Sequence, residues 1–268
     1  GVEVGDVKLD LGRAAKRAAN VADQGKKGTE YLFKKNNVDH IQGWGRIAGK
    51  GKVEVVTGKN AGHGDEEPEG GEEKTLEAKN IIIATGSRPK SLPMLEIDGD
   101  RVWSSDHAVY ADSAPKSIAI IGAGAIGMEF ADVFSSFGSD VTIIEALERV
   151  LPMEDAESSK AVARAYKKRK MKLMEGAKLE DAEVLKTKVK LYVDTGKDEP
   201  ELVDVERALV AVGRAAITDD IGLEEAGVEL ENGFIKIDEK MRTTAEGIYA
   251  IGDCAGPPLL AHKASHEG

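Results

Sequence analysis

Six residues, Gly122-Ala123-Gly124-Ala125-Ile126-Gly127, place glycine first, third and sixth, and a carboxylate, Glu145, follows 18 residues after the last of them. Each glycine has its own use. Gly122 permits a tight turn. Gly124 lets a ligand approach the backbone. Gly127 lets a helix pack close to a strand. A helix starting in such a turn presents free N–H groups and a partial positive charge, which together suit a diphosphate. A carboxylate at Glu145 can accept hydrogen bonds from both hydroxyls of a ribose.

The string alone is weak, so its setting matters. An apolar run, Ile118 to Ile121, precedes it. A helix over Ala125 to Phe137 follows, and a second apolar run, Val141 to Ile144, ends at Glu145. Strand, glycine turn, helix, strand and acid in this order predict a seat for the ADP half of a nicotinamide dinucleotide. NAD is favoured over NADP, because a 2′-phosphate would meet the Glu145 carboxylate as a like charge. The nearest arginine, Arg149, lies four residues on. The competing reading is a glycine-rich turn without a ligand.

Positioning this seat requires a larger frame. The chain has 268 residues, 41% hydrophobic and 32% charged, enough for two modest domains. Lys and Arg number 37 against 48 Asp and Glu, a net charge of -11. That argues against nucleic acid as a ligand. The longest apolar stretch, Ile118 to Phe130, is broken by glycines and Glu129, too short and polar to span a membrane. One cysteine, Cys254, excludes an intrachain disulfide and a Cys-x-x-Cys pair, and reads as a small buried residue. Both chain ends read as cut edges of something larger.

Asp10 to Asn36 reads as a helix. Val38 to Ile47 and Val53 to Val56 read as strands, and the charged stretch Thr57 to Thr75 as a solvated hairpin loop without a role. Leu76 to Ala84 reads as one strand. Pro89, Pro93 and Pro115 mark a connection with a domain boundary. Beyond it come a helix over Ala156 to Lys170 and an antiparallel excursion from Ala182 to Val193 and Leu202 to Val212. Gly233 to Ile237 and Ile248 to Asp253 are further strands, with a helix starting near Leu260. The alternation predicts an α/β fold with parallel sheets.

Three more glycine strings end apolar strands: Ala84-Thr85-Gly86-Ser87, Val210-Ala211-Val212-Gly213-Arg214 and Ile251-Gly252-Asp253. Their order around the first motif resembles the flavoprotein disulfide reductases. Within that group, Glu30 to Asn36, Ile81 to Ser87, Gly122 to Glu129 and Leu260-Ala261-His262-Lys263-Ala264 resemble the dihydrolipoyl dehydrogenase family over essentially the whole chain. The resemblance implies two Rossmann-like dinucleotide-binding domains, the FAD domain incomplete and the NAD domain inserted. Residues 1–112 would belong to the first, 113–216 to the second, and 217–268 would return to the first.

The resemblance also implies roles. For FAD they fall on Gly43 and Gly45 beside Trp44, on Thr85, Gly86 and Ser87, on Asp253 as a ribityl acceptor, and on Leu259, Leu260, Ala261 and His262 along the flavin. For NAD they fall on Gly122, Ala123, Gly124, Ala125, Ile126, Gly127, Met128 and Glu129, with Glu145, Leu179 and Gly213. Glu129 would support catalysis near the nicotinamide, unless it is an ordinary helix-surface glutamate. His262 and His266, one turn apart, find no third ligand, so no metal is expected.

The activity implied is electron transfer from dihydrolipoamide through a disulfide and FAD to NAD. The implied partners are lipoyl domains of 2-oxoacid dehydrogenase complexes and a second copy of the chain. The compartment implied is the bacterial cytoplasm or the mitochondrial matrix. The redox cysteines, the first FAD fingerprint and the dimer domain with its base histidine are expected outside these residues, so the chain alone should not oxidise dihydrolipoamide. Arg214-Ala215-Ala216 departs from the usual Arg-Arg-Pro turn. Two rivals stand beside this reading: another disulfide reductase, such as mercuric or glutathione reductase, and a non-catalytic NAD-binding module.

Overall fold

A computed structural model of the chain describes residues 1, 3–59 and 69–268, with the side chains of 59, 69 and 70 left aside. Helix α1 spans Leu11–Lys35. Strands β1 (Trp44–Ile47), β2 (Lys52–Lys59), β3 (Glu69–Glu77), β4 (Ile81–Ile83), β5 (Ser87–Pro89) and β6 (Val102–Trp103) follow. After the short helix α2 (Ser105–Ala108) come β7 (Ser117–Ile121), α3 (Ala125–Ser136), β8 (Asp140–Glu145), α4 (Ala156–Lys168) and β9 (Lys172–Glu175). Then come β10 (Lys178–Val184), β11 (Val189–Asp194), β12 (Glu201–Val205), β13 (Arg207–Val210), β14 (Arg214–Ala216), β15 (Leu230–Glu231), β16 (Phe234–Ile235) and β17 (Ile248–Ala250). Helix α5 (Ala261–Glu267) closes the chain.

The chain divides into two compact units. One holds Gly1–Thr29 and Pro89–Gly213, the other Glu30–Arg88 and Arg214–Gly268. The first is built on a five-stranded sheet of order β6-β13-β7-β8-β9, parallel throughout. Strand β7 lies at its centre and is buried on both faces, which accounts for its unbroken apolar run. Ile118 and Ile120 pack with Met128, Phe134 and Ala163 of α3 and α4. Ala119 and Ile121 face the other way, onto Val189, Leu191, Val203 and Val205 of the antiparallel sheet β10-β11-β12. Phe134 is 1% exposed, and truncating it to alanine would cost roughly 3–5 kcal/mol. Helix α4 starts where the Asp155 carboxylate accepts the Glu157 and Ser158 amides and ends on Lys167 and Lys168, favourable at both poles of its dipole.

The second unit holds the antiparallel sheet β1-β2-β3, the parallel pair β4-β17 and the pairs β5-β14 and β15-β16. Its core gathers Ile47, Ile81, Ile83, Ile221, Leu223, Val228, Ile235 and Cys254.

The α/β class with parallel sheets is the one expected. Several elements differ. Of Val38 to Ile47 only Trp44–Ile47 is a strand, because only these residues find β2 as a partner. The charged stretch Thr57 to Thr75 is partly strand, with Thr57 opposite Glu72 and Val55 opposite Lys74; an exposed ribbon tolerates charge because its faces stay in water. Residues 60–68 of that expected loop lie outside the described residues. Leu76 to Ala84 is two strands, since Ala78 to Asn80 turn the chain from the β1-β2-β3 sheet to the β4-β17 pair. Leu202 to Val212 also divides: β12 stays in the antiparallel excursion and β13 enters the parallel sheet between β6 and β7. Beyond Ala250 the chain leaves its strand for a 3-10 turn over Gly252–Ala255.

Candidate functional site

In the first unit the chain leaves β7 at Gly122 with φ +101°, a conformation L side chains rarely adopt. A Cβ there would meet the Ala211 carbonyl oxygen at 2.4 Å, and one at Gly127 would meet the Gly122 carbonyl oxygen at 2.0 Å. Both glycines are therefore required by backbone packing. Gly124 differs: a Cβ there would find nothing within 4 Å. Gly124 is also the N-cap of α3, without a side-chain cap. The first N–H groups of α3 thus face an open approach, the arrangement that receives a diphosphate. Ala123 and Met128 are buried in the core, so only their backbone can serve a ligand, while Ala125 is exposed and Ile126 half-buried.

Glu145 ends β8 beside this turn and is 7% exposed. Its Oε2 accepts the Ala123 amide at 2.6 Å, and its Oε1 accepts the Leu147 amide at 2.8 Å. The expected ribose acceptor is thus also a brace between the glycine turn and the loop after β8. Each carboxylate oxygen keeps a second acceptor site for a hydroxyl. The same loop is pinned where the Leu151 amide donates to the Ala123 carbonyl at 2.8 Å. Arg149 turns its guanidinium onto the carbonyls of Pro152 and Glu154. Glu129 stands exposed on the second turn of α3. Tyr166 of α4 donates to the Met128 carbonyl at 2.9 Å. Burial chiefly, with the charge of Asp132, holds its phenol above the usual range, although Arg169 opposes this. Leu179 in β10 is partly buried against the excursion sheet. Gly213 takes φ +114° with open space above it.

In the second unit the strand-end residues form a connected set. Gly86 takes φ +74°, and the Thr85 hydroxyl donates to the Ile217 carbonyl at 2.6 Å. The Ser87 hydroxyl donates to Asp253 Oδ2 at 2.5 Å and receives Arg214 Nε at 2.7 Å. Arg214 Nη2 also donates to the Ser87 carbonyl. Asp253 is therefore oriented through Ser87 by Arg214, leaving its other oxygen for a hydroxyl donor. Gly43 is confined, since a Cβ there would meet Val55 Cγ1 at 2.5 Å and the Val56 carbonyl oxygen at 2.7 Å, whereas Gly45 has room. Leu260 is the N-cap of α5 without a side-chain cap; Leu259 is half-buried, and Ala261 and His262 are exposed in the first turn.

Two site residues escaped the sequence reading. Lys263 Nζ donates to the carbonyls of Gly252 (3.2 Å) and Gly256 (2.9 Å) and pairs with Glu267 Oε1 at 2.9 Å. Glu267 Oε2 accepts the Gly252 amide at 2.7 Å. The side chains are 15% and 13% exposed. This i,i+4 pair clamps both ends of the turn that carries Asp253. Burial raises the Glu267 carboxyl, but the Gly252 amide and Lys263 ammonium outweigh it and hold it below the ordinary carboxylate value. The spacing of opposite charges was the available signal.

The pyridine nucleotide-disulphide oxidoreductase family matches residues 5–268. Dihydrolipoyl dehydrogenase of Chlorobaculum tepidum is 42% identical over 267 residues, covering 100% of this chain and 55% of that protein. Dihydrolipoyl dehydrogenase of Bacillus subtilis is 40% identical over 269 residues, covering 100% of this chain and 56% of that protein. The chain thus spans about half the length of the curated relatives it matches. Among solved structures, LpdA from Mycobacterium tuberculosis superposes with a TM-score of 0.85 at 26% identity, covering 98% of this chain and 56% of that one. The HOCl-induced flavoprotein disulfide reductase RclA from Escherichia coli gives a TM-score of 0.82 at 25% identity, over 97% of this chain and 56% of that one.

Proposed function

Because the chain belongs to the pyridine nucleotide-disulphide oxidoreductase family, we propose that it is the NAD-binding and partial flavin-binding portion of an oxidoreductase of the dihydrolipoyl dehydrogenase type. The observation that carries this is the open, uncapped turn at Gly124 with the Glu145 carboxylate beside it. The residues fit a dinucleotide: bare amides for the diphosphate, an acid for the ribose, and neighbouring backbone that permits close approach. When bound, the flavin and nicotinamide supply the hydride and electron transfer.

The chain's own residues bind and orient. Gly124 and the first amides of α3 would hold the NAD diphosphate, and Glu145 its ribose. Glu145 sets the preference for NAD, since its carboxylate would repel a 2′-phosphate. Asp253 would accept a ribityl hydroxyl of FAD, held in place by Ser87 and Arg214. Thr85, Gly86, Gly43 and Gly45 would shape the approach to that cofactor, with Leu259, Leu260, Ala261 and His262 along the flavin. Met128, Leu179 and Gly213 would border the NAD, and Glu129 would support the nicotinamide end.

Thiol chemistry lies outside these residues. The one cysteine, Cys254, is fully buried, with Sγ directed at the carbonyls of Ile83 and Ile251. Dihydrolipoamide carried on lipoyl domains would be the electron donor of the whole protein, acting as a homodimer. Its compartment would be the bacterial cytoplasm, or the mitochondrial matrix in a eukaryote. The curated relatives named above, near 40% identical, are dihydrolipoyl dehydrogenases, which supports the lipoamide substrate. Fluorescence titration of the chain with NADH and NADPH tests the proposal. Saturable binding of NADH, weaker for NADPH and weaker in Glu145→Ala, is expected. Equal or absent binding of the two would overturn it.

A further inference from the structure

Helix α4 carries Lys160, Arg164 and Lys167 at i, i+4 and i+7, on one face. Arg149, from the loop after β8, closes over the same side, and Glu175 ends β9 beneath it. With Ser159 and Ala163 as a floor, these residues line a cleft of about 190 Å³. Four cations there face one carboxylate, on a chain whose net charge is -11.

The cations are poorly neutralised. Lys167 Nζ pairs with Glu175 Oε2 at 3.0 Å. Arg149 donates to two neutral carbonyls, which fix its guanidinium without cancelling its charge. Among the described residues, no carboxylate pairs with Arg149, Lys160 or Arg164. Lys160 and Arg164 also stand at the i,i+4 spacing at which like charges destabilise a helix. The floor offers no competing charge: Ser159 is 1% exposed with its hydroxyl spent on the Leu151 carbonyl, and Ala163 is apolar and 9% exposed.

We propose that this cleft binds a compact phosphate-class anion carrying one or two phosphate groups. Two guanidiniums match the paired oxygens of a phosphate, and the lysines add point charge. The volume excludes a polymer, and the charge of the rest of the chain repels one. The anion is a free one, since a 2′-phosphate on a nucleotide held at Glu145 would meet that carboxylate as a like charge. The cleft stands on its own residues and does not depend on the cofactor reading above.

Isothermal titration with inorganic pyrophosphate, in buffer free of phosphate and sulfate, tests this. Saturable binding is expected, weakened about tenfold or more by Lys160→Ala with Arg164→Ala, and reduced by added salt. Both substitutions lie on an exposed helix face where alanine is well tolerated. Glu175→Gln keeps an acceptor for Val150 and removes the opposing charge, so it should tighten binding, a gain no unfolded variant could give. ADP-ribose and 2′-phospho-ADP-ribose separate the sources. A preference for the second that disappears in the double variant overturns the free-anion assignment and, with it, the NAD preference set by Glu145. Pyrophosphate binding unchanged by saturating ADP-ribose assigns a free anion. Pyrophosphate binding lost on saturation with ADP-ribose, or indifferent to the double substitution, overturns the proposal. A chain that binds pyrophosphate but not NADH would keep this cleft and reject the nucleotide reading.

Discussion

Gly124 and Gly127 are three residues apart, yet alanine should act on them in opposite ways. At Gly127 the new Cβ would lie 2.0 Å from the Gly122 carbonyl oxygen, about 1.4 Å short of ordinary contact. The obstructing atom is backbone, held in the turn where the Gly122 amide donates to the Ile144 carbonyl at 2.8 Å. Alanine gains up to ~1 kcal/mol of helix propensity over glycine. Overpacking costs ~1–3 kcal/mol, and a backbone clash this close belongs at the upper end. The clash wins by roughly 2 kcal/mol, which lowers the melting temperature by about 4–8 °C in a protein of this size. At Gly124 the backbone has φ -72° and no atom lies within 4 Å. Alanine fits there at a cost below about 1 kcal/mol. Its methyl, however, occupies the space through which a diphosphate would reach the α3 amides. Losing one such charge-assisted contact costs ~1.5–3 kcal/mol, or about ten- to a hundredfold in affinity. Melting by circular dichroism and NADH titration read the two effects separately. A Gly127→Ala protein as stable as the parent, or a Gly124→Ala protein with undiminished NADH affinity, would refute this division of labour.

Glu145→Ala should lower stability as well as NADH affinity, because it strands the buried Ala123 amide and releases that of Leu147; ~1–3 kcal/mol for the buried donor is expected in a denaturant titration, and a purely functional loss would contradict the brace. Lys263→Ala should cost about 3 kcal/mol by breaking a largely buried pair and freeing the Gly252 and Gly256 carbonyls; faster hydrogen exchange at Gly252, with the β7-α3 region unchanged, checks it. Because the folded Glu267 carboxyl lies below its ordinary value of about 4.3, its stabilisation is complete above that pH and is lost as pH falls through the folded value; Glu267→Gln should flatten the melting-temperature profile in that acid window, and an unchanged profile would count against the clamp. Ser87→Ala should weaken FAD binding while sparing NADH affinity; equal losses of both would argue against the Arg214-Ser87-Asp253 relay.

The sequence by itself determined the parts governed by local chemistry. Strand β7, helix α3 and strand β8 lie within a residue of their expected bounds, because a doubly buried strand must be apolar throughout and a glycine turn must open where it does. The need for glycine at 127 was readable for the same reason, since the Gly122 carbonyl that crowds it lies within one strand-helix-strand unit, whereas the Ala211 carbonyl that crowds Gly122 comes from beyond it. Only the tertiary structure decided what depends on partners distant in sequence. Periodicity marks a strand but not its mate, so Leu202 to Val212 looked continuous, although β13 enters the parallel sheet and β12 does not. Glu145 reads as a ligand acceptor in sequence; its bond to Ala123, 22 residues away, adds the brace. Opposite charges at i,i+4 mark Lys263 and Glu267 in the sequence, but only folding buries the pair over the Gly252 turn. Likewise, the cationic stripe of α4 became a cleft only when Arg149 and Glu175, from two other elements, closed around it. Local sterics are written residue by residue, whereas desolvation and charge depend on what the whole chain brings near.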